Sequence, residues 1–164
     1  MAKATATKKK TAKRGSRPAA SKPRIAPAGE GSTYRQQGVP TQRGKAELKH
    51  VPWNSVEIET LNPLIGRQFI VGRDIMVARV LMKKGAIVPE HSHVNEQVTY
   101  ILAGALKFWI DGKEIVVREG EVLTIPPDMP HKAEALEDTV DLDVFNPPRA
   151  DWMNKDDSYL RGQR

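Results

Sequence analysis

The sequence predicts an all-β domain of sandwich or barrel type, and three observations carry that reading. Short apolar, β-branched runs recur from Gln68 to Phe145. Turn residues (Gly, Pro, Asp) punctuate them. The runs succeed one another too closely for βαβ units, each of which needs an intervening helix.

Residues 1–50 are rich in Lys, Ala, Thr, Pro, Gly and Gln with almost no large apolar side chains. Such a segment cannot bury enough surface to offset its ordering entropy, so a disordered basic tail is expected. The domain is expected over 51–164, with its core at about 66–150. Gln68–Val71 and Ile75–Met82 read as strands separated by the turn Gly72-Arg73-Asp74. Val98–Ala103 and Leu106–Ile110 flank Gly104, and Asp111-Gly112 links the latter to Glu114–Val117 as a hairpin. Val122–Ile125, Lys132–Ala135 and Thr139–Phe145 complete the series. Pro147-Pro148 ends the sheet, and Asp151–Arg161 forms a short helical or irregular cover.

Charge divides the chain. Residues 1–50 carry thirteen Lys and Arg against Glu30 and Glu47, a net +11. The remainder carries thirteen against eighteen Asp and Glu, a net −5. The tail can therefore neutralise phosphates, and weak nucleic-acid association through residues 1–50 is one expectation; a merely solvated extension is the other. No helix-turn-helix pattern accompanies it. With no cysteine, thiolate ligands and cysteine nucleophiles are excluded. No apolar run approaches a membrane span and no signal peptide is visible, so a cytoplasmic location is expected.

Three of the four histidines sit in one pattern. His91 and His93 are two apart, so on an extended strand both imidazoles leave one face, and Gln97 keeps that parity. With His131 from another strand, these four side chains suit one divalent transition metal: Mn, Fe, Ni, Co or Zn. Glu96 has the opposite parity and is expected to point away. A second constellation, Asp143-x-Phe145-x3-Arg149, puts Asp143 and Phe145 on one face. A carboxylate beside phenylalanine on an inward strand must be paired or catalytic. Arg149 can fork onto a substrate carboxylate at the mouth, or pair with Asp143. Asp141 shares the parity of Asp143. Ser92, Tyr100 and Trp109 are further cavity candidates.

The flanks read Gly85-x5-His91-x-His93-x3-Gln97-x6-Gly104 and Gly120-x5-Pro126-x-Asp128-x2-His131. This resembles the two motifs of the cupin superfamily, which implies a double-stranded β-helix (jelly-roll barrel). Glutamine stands where the broader family often has glutamate, and Asp128 replaces a second glycine; aspartate tolerates the left-handed region. Over residues 70–152 the chain is similar to the small cupins of pectin and alginate breakdown, which linearise 4,5-unsaturated uronates. By position that resemblance implies metal ligands His91, His93, Gln97 and His131, and catalytic residues Asp143, Phe145 and Arg149.

The implied activity is metal-dependent ring opening or isomerisation of an anionic small-molecule substrate, such as an unsaturated uronate, by Lewis-acid and acid–base chemistry. Two alternatives stay open: a cupin dioxygenase, and a non-catalytic metal-binding module tethered to nucleic acid by the tail. A homodimer that covers an edge strand is also expected.

Overall fold

The computed structural model describes residues 46–162. The expected tail lies almost wholly outside the described residues. Within them, each run expected from Gln68 to Phe145 is a strand. Ten strands form: β1 (Glu59–Asn62), β2 (Ile65–Val71), β3 (Met76–Met82), β4 (Ile87–His91) and β5 (Glu96–Ala103) come first. β6 (Ala105–Ile110), β7 (Lys113–Arg118), β8 (Val122–Ile125), β9 (His131–Ala135) and β10 (Thr139–Asn146) come after them. β1 escapes sequence reading because Leu61 is its one apolar residue.

The strands build two antiparallel sheets, one ordered β1-β2-β3-β10-β5-β8 and the other β4-β9-β6-β7. From β3 onward nearly every connection crosses from one sheet to the other, the chain path of a jelly roll. Alternation fixes which face each strand buries. In β3 the residues Met76, Ala78, Val80 and Met82 are buried and the ones between are not. They join Ile101, Leu106, Phe108, Ala133 and Phe145 in one core between the sheets. Each of the larger side chains among them contributes about 1.5–3 kcal/mol of transfer free energy on burial. β10 obeys the same alternation but turns Thr139, Asp141 and Asp143 inward together with Phe145. An inward polar row on a central strand is what opens the core to chemistry.

Two turns depend on glycine. Asp111 (φ 52°) and Gly112 (φ 69°) join β6 to β7 as a two-residue turn with both central residues left-handed, the type I′ geometry of a hairpin. Gly104 has φ 84°, and a Cβ there would stand 2.4 Å from the Asp138 carbonyl oxygen, so no side chain fits. Asp128, in place of a glycine, is left-handed at φ 61°, as aspartate permits. Its amide donates to the His93 carbonyl at 2.7 Å and so ties the two motifs together.

The C-terminal cover is a short helix α1 (Ala150–Asn154) and a 3-10 turn at Ser158–Leu160. Trp152 meets Phe145 edge-on, with ring centroids 5.1 Å apart. Fully buried Arg67 pairs with Glu59 at 2.9 Å and with fully buried Asp157. Arg161 reaches the same two carboxylates at 2.7 and 2.8 Å. This alternating charge network clamps the cover onto β1 and β2. No helix of the described residues is long and apolar enough to cross a membrane.

Candidate metal centre and acid–base pocket

The histidines converge, but not from one strand. β4 stops at His91, β5 begins at Glu96, and His93 lies on the link between them. The expectation of one continuous strand over His91, His93 and Gln97 is therefore corrected. A register irregularity between Val88 and His91, at Pro89-Glu90, accompanies the change. His91 pairs directly with His131 of β9, bringing their rings to 4.3 Å between centroids. His93 stands 5.7 Å from His91 and 5.2 Å from His131 by the same measure. One ligand atom from each lies within 4.8 Å of the others, a spacing that could hold a metal ion. The described residues contain no other such group of three or more His or carboxylates.

All three imidazoles are oriented in the same way. Each Nδ1 meets a backbone carbonyl two residues away: Pro89 at 2.9 Å, Asn95 at 3.0 Å and Met129 at 2.8 Å. Those carbonyls can only accept, so each Nδ1 carries the proton and each Nε2 presents a lone pair. The neutral form is favoured as well. Burial lowers His91 to about 3 and His93 to about 4, with the charges of His131 and Arg149 adding to it; burial lowers His131 too. Neutral imidazole is the form that binds a cation.

Gln97 supplies the test of fit. Its Nε2 donates to Thr99 Oγ1 at 2.9 Å and to Asp143 Oδ1 at 2.8 Å. That fixes Oε1 on the other side, 3.1 Å from His93 Nε2. With His93 protonated at Nδ1, two lone pairs face each other across that gap. They repel unless a cation lies between or beside them. Three imidazoles and one amide oxygen fit a divalent transition metal on donor chemistry, while leaving its charge uncompensated.

Behind the amide is the carboxylate pocket. Register places Asp143 opposite Thr99, Phe145 opposite Gln97 and Asp141 opposite Ile101. Thr99 Oγ1 donates to Asp143 Oδ1 at 2.6 Å. Burial raises Asp143 above the ordinary carboxylate range, opposed by the donors Thr99 and Gln97 and by the charge of Arg149. Asp141 is raised as well, by burial and by the neighbouring Asp143. Phe145 meets His93 edge-on at 5.7 Å.

Arg149 is buried and does not pair with Asp143. Its Nε and Nη2 fork onto Asp151 at 2.9 and 2.6 Å, and Nη2 also donates to Tyr159 Oη at 2.9 Å. Its guanidinium lies over Phe145 and Trp152, at 5.2 and 5.0 Å from the ring centroids. Its charge still reaches Asp143 and all three imidazoles. Tyr159 escapes sequence reading. It stacks on His91 at 4.5 Å and 26° while holding Arg149, so the cover completes the pocket. Thr99 escapes it too, although it shares the parity of Gln97.

The cavity has a volume of about 50 Å³, and His91, Gln97, His131, Asp141, Asp143 and Arg149 line it. Ser92 and Tyr100 are exposed instead. Trp109 stands between Lys107 and Lys132, 4.4 and 4.6 Å from its ring, and donates to Glu114 at 2.9 Å. None of the three lines the cavity. Glu96 is exposed, as its parity requires.

The model of the cupin domain matches residues 78–146. The pectin degradation protein KdgF of Dickeya dadantii is 31% identical over 105 residues, covering 62% of this chain and 91% of that protein. The solved structure of KdgF from Halomonas shares 27% identity at a TM-score of 0.57, covering 60% of this chain and 93% of that one. An RmlC-like cupin from Shewanella frigidimarina shares 27% at a TM-score of 0.60, covering 65% and 97%.

Proposed function

This chain belongs to the cupin superfamily, and from that premise we propose a metal-dependent enzyme that opens or isomerises the ring of a 4,5-unsaturated uronate or a similar carboxylate-bearing sugar. The observation that carries the reading is the continuous path from His93 through Gln97 and Thr99 to the buried carboxyl of Asp143. A polar path of this kind inside an apolar core costs stability, and function is the reason to keep it. The similarity to a pectin degradation protein points the same path toward uronates.

His91, His93, Gln97 and His131 would hold the ion, which when bound supplies Lewis-acid polarisation of sugar oxygens. The backbone carbonyls of Pro89, Asn95 and Met129 keep each Nε2 aimed inward, so the ligand set needs no reorganisation. Asp143 exchanges a proton with a sugar hydroxyl or water; its raised affinity for protons brings it nearer to neutrality, where an acid–base group works best. Phe145 gives the ring an apolar wall. Arg149, held by Asp151 and Tyr159, contributes the positive charge that complements a uronate carboxylate.

Loss of the enol-ether absorbance of an unsaturated uronate is the readout that tests this. We expect turnover by the purified protein, its loss on chelation and its return with Mn, Fe, Ni, Co or Zn. Asp143→Asn should lower kcat by roughly 100-fold or more while metal content stays the same. Turnover unaffected by chelation, or by Asp143→Asn in a folded protein, would overturn the proposal.

A further inference from the structure

The C-terminal cover carries more hydrogen-bond donors than its own acceptors satisfy. β10 ends at Asn146, and the chain beyond it brings Arg149, Trp152 and Tyr159 into the cavity lining. All three lie past residue 146, where the match to the cupin domain ends. The five N–H groups of Arg149 can be accounted for one by one. Nε and Nη2 reach the two oxygens of Asp151, and Nη2 gives its second proton to Tyr159 Oη. The two N–H groups of Nη1 have no partner among the described residues.

Trp152 is 5% exposed, and its Nε1 is a buried donor without a hydrogen-bond partner. Orphaned buried N–H groups are rare and call for an acceptor. The guanidinium of Arg149 lies 5.0 Å from the centroid of its ring, and the Tyr159 hydroxyl lies close to its N–H. Tyr159 Oη accepts from Arg149, while its own O–H reaches no acceptor among the described residues. If Oη also took the indole proton, that O–H would still lack an acceptor. Donors of three kinds therefore gather here, and the one carboxylate beside them, Asp151, is already engaged by Arg149. A surplus of donors around a cation marks a place for an anion. A carboxylate brings two oxygens, and the fork of Arg149 is closed on Asp151. Nη1 by itself matches one oxygen, so the other must find its donors on Trp152 and Tyr159.

We propose that Arg149 Nη1, the Trp152 indole N–H and the Tyr159 hydroxyl form the subsite for the substrate's carboxylate, which makes Trp152 and Tyr159 the specificity-determining residues for an acidic sugar. One carboxylate oxygen accepts from Nη1 and the other from the indole and the hydroxyl. The stacking of Tyr159 on His91 places this subsite next to the metal end of the cavity. The choice of a sugar acid rests on the uronate reading; the donor cluster itself does not.

Calorimetric titration of the purified protein tests binding apart from turnover. The probes are galacturonate, which lacks the 4,5 double bond and so only binds, and galactose, its neutral counterpart. The wild type should hold galacturonate about tenfold or more tighter than galactose. Trp152→Phe and Tyr159→Phe keep an aromatic ring and remove a donor, and each should lose most of that preference while galactose affinity stays the same. Both should raise KM for an unsaturated uronate by about tenfold with kcat nearly unchanged. A merely structural defect would weaken both sugars alike. If Trp152→Phe fails to fold, Tyr159→Phe decides alone. Galacturonate bound no tighter than galactose by the wild type, equal loss of both sugars in Tyr159→Phe, or wild-type preference in the folded variants would overturn the proposal. Selective galacturonate binding that the variants abolish, without turnover of an unsaturated uronate, would leave the subsite standing and the proposed reaction refuted. Turnover whose KM neither variant moves would do the reverse.

Discussion

At position 97 the amide has a duty that a carboxylate could not perform. Its Nε2 donates to Asp143 Oδ1 at 2.8 Å and to Thr99 at 2.9 Å while Oε1 faces His93. A glutamate would bring a second anionic oxygen to that 2.8 Å contact. Either the two carboxylates would repel or one would have to hold a proton, and the proton affinity of Asp143 would change. The same exchange would improve metal retention, because a carboxylate binds a hard cation better than an amide does. Gln97→Glu should therefore keep more metal through dialysis against a chelator, yet lose about tenfold or more in kcat. Metal analysis and uronate kinetics on one preparation read both halves. Wild-type turnover in Gln97→Glu would show that the Gln97–Asp143 contact does not matter to catalysis. Part of this residue-scale logic is legible in the sequence, because parity along β5 and β10 fixes which side chains face inward. The partners of Arg149 are not. Asp151 is two residues away in the cover, and Tyr159 comes after an irregular stretch with no period to read.

Among the elements, strands are legible in the sequence where alternation is strong and obscure where it is interrupted. β3, β9 and β10 alternate cleanly, and their expected and observed bounds agree within a residue or so. β4 is harder to delimit, because His91 and His93 have strand spacing although the chain leaves the sheet between them. The rings converge anyway, since the link carries His93 back over the cavity and Asp128 anchors it. The C-terminal cover is expected only in outline, and its energetics depend on a residue that hydropathy would never place inside. Arg67 is fully buried on β2, and its partner Asp157 is fully buried as well. Arg161 also binds Asp157 but remains about one third exposed, where screening weakens ion pairs. Arg67→Met should destabilise the protein by about 3 kcal/mol, because it takes from the buried carboxylate of Asp157 its one fully buried partner. Arg161→Met should cost under about 1 kcal/mol. Urea denaturation of both variants makes the comparison, and equal costs would mean that the network acts as a surface feature.

On the scale of the whole molecule, the centre couples opposite titrations, and their balance sets acid stability. Consider chelated protein between pH 6.5 and 5, above the range where ordinary carboxylates titrate. The unfolded chain takes up protons on His91, His93 and His131 near the ordinary value of 6.5, while the folded chain, with His91 at about 3 and His93 at about 4, does not. These groups bind more protons unfolded, so stability falls as pH falls. Asp141 and Asp143 work in the other direction, since both are raised in the folded state and bind protons there while the unfolded chain leaves them ionised. Each proton of difference changes stability by about 1.4 kcal/mol per pH unit. Three imidazoles outnumber two carboxyls, so stability should decline as pH falls toward 5. Replacing Asp143 by Asn removes an opposing group, and the decline should steepen. Tm measured on chelated wild type and Asp143→Asn across this window gives the two slopes. An unchanged slope in the variant would mean that Asp143 is not raised in the folded protein, and the acid–base assignment would lose its electrostatic basis. Metal-loaded protein should show at least as much dependence over the same range, because the ion binds only unprotonated nitrogens and its hold weakens as protons compete for them.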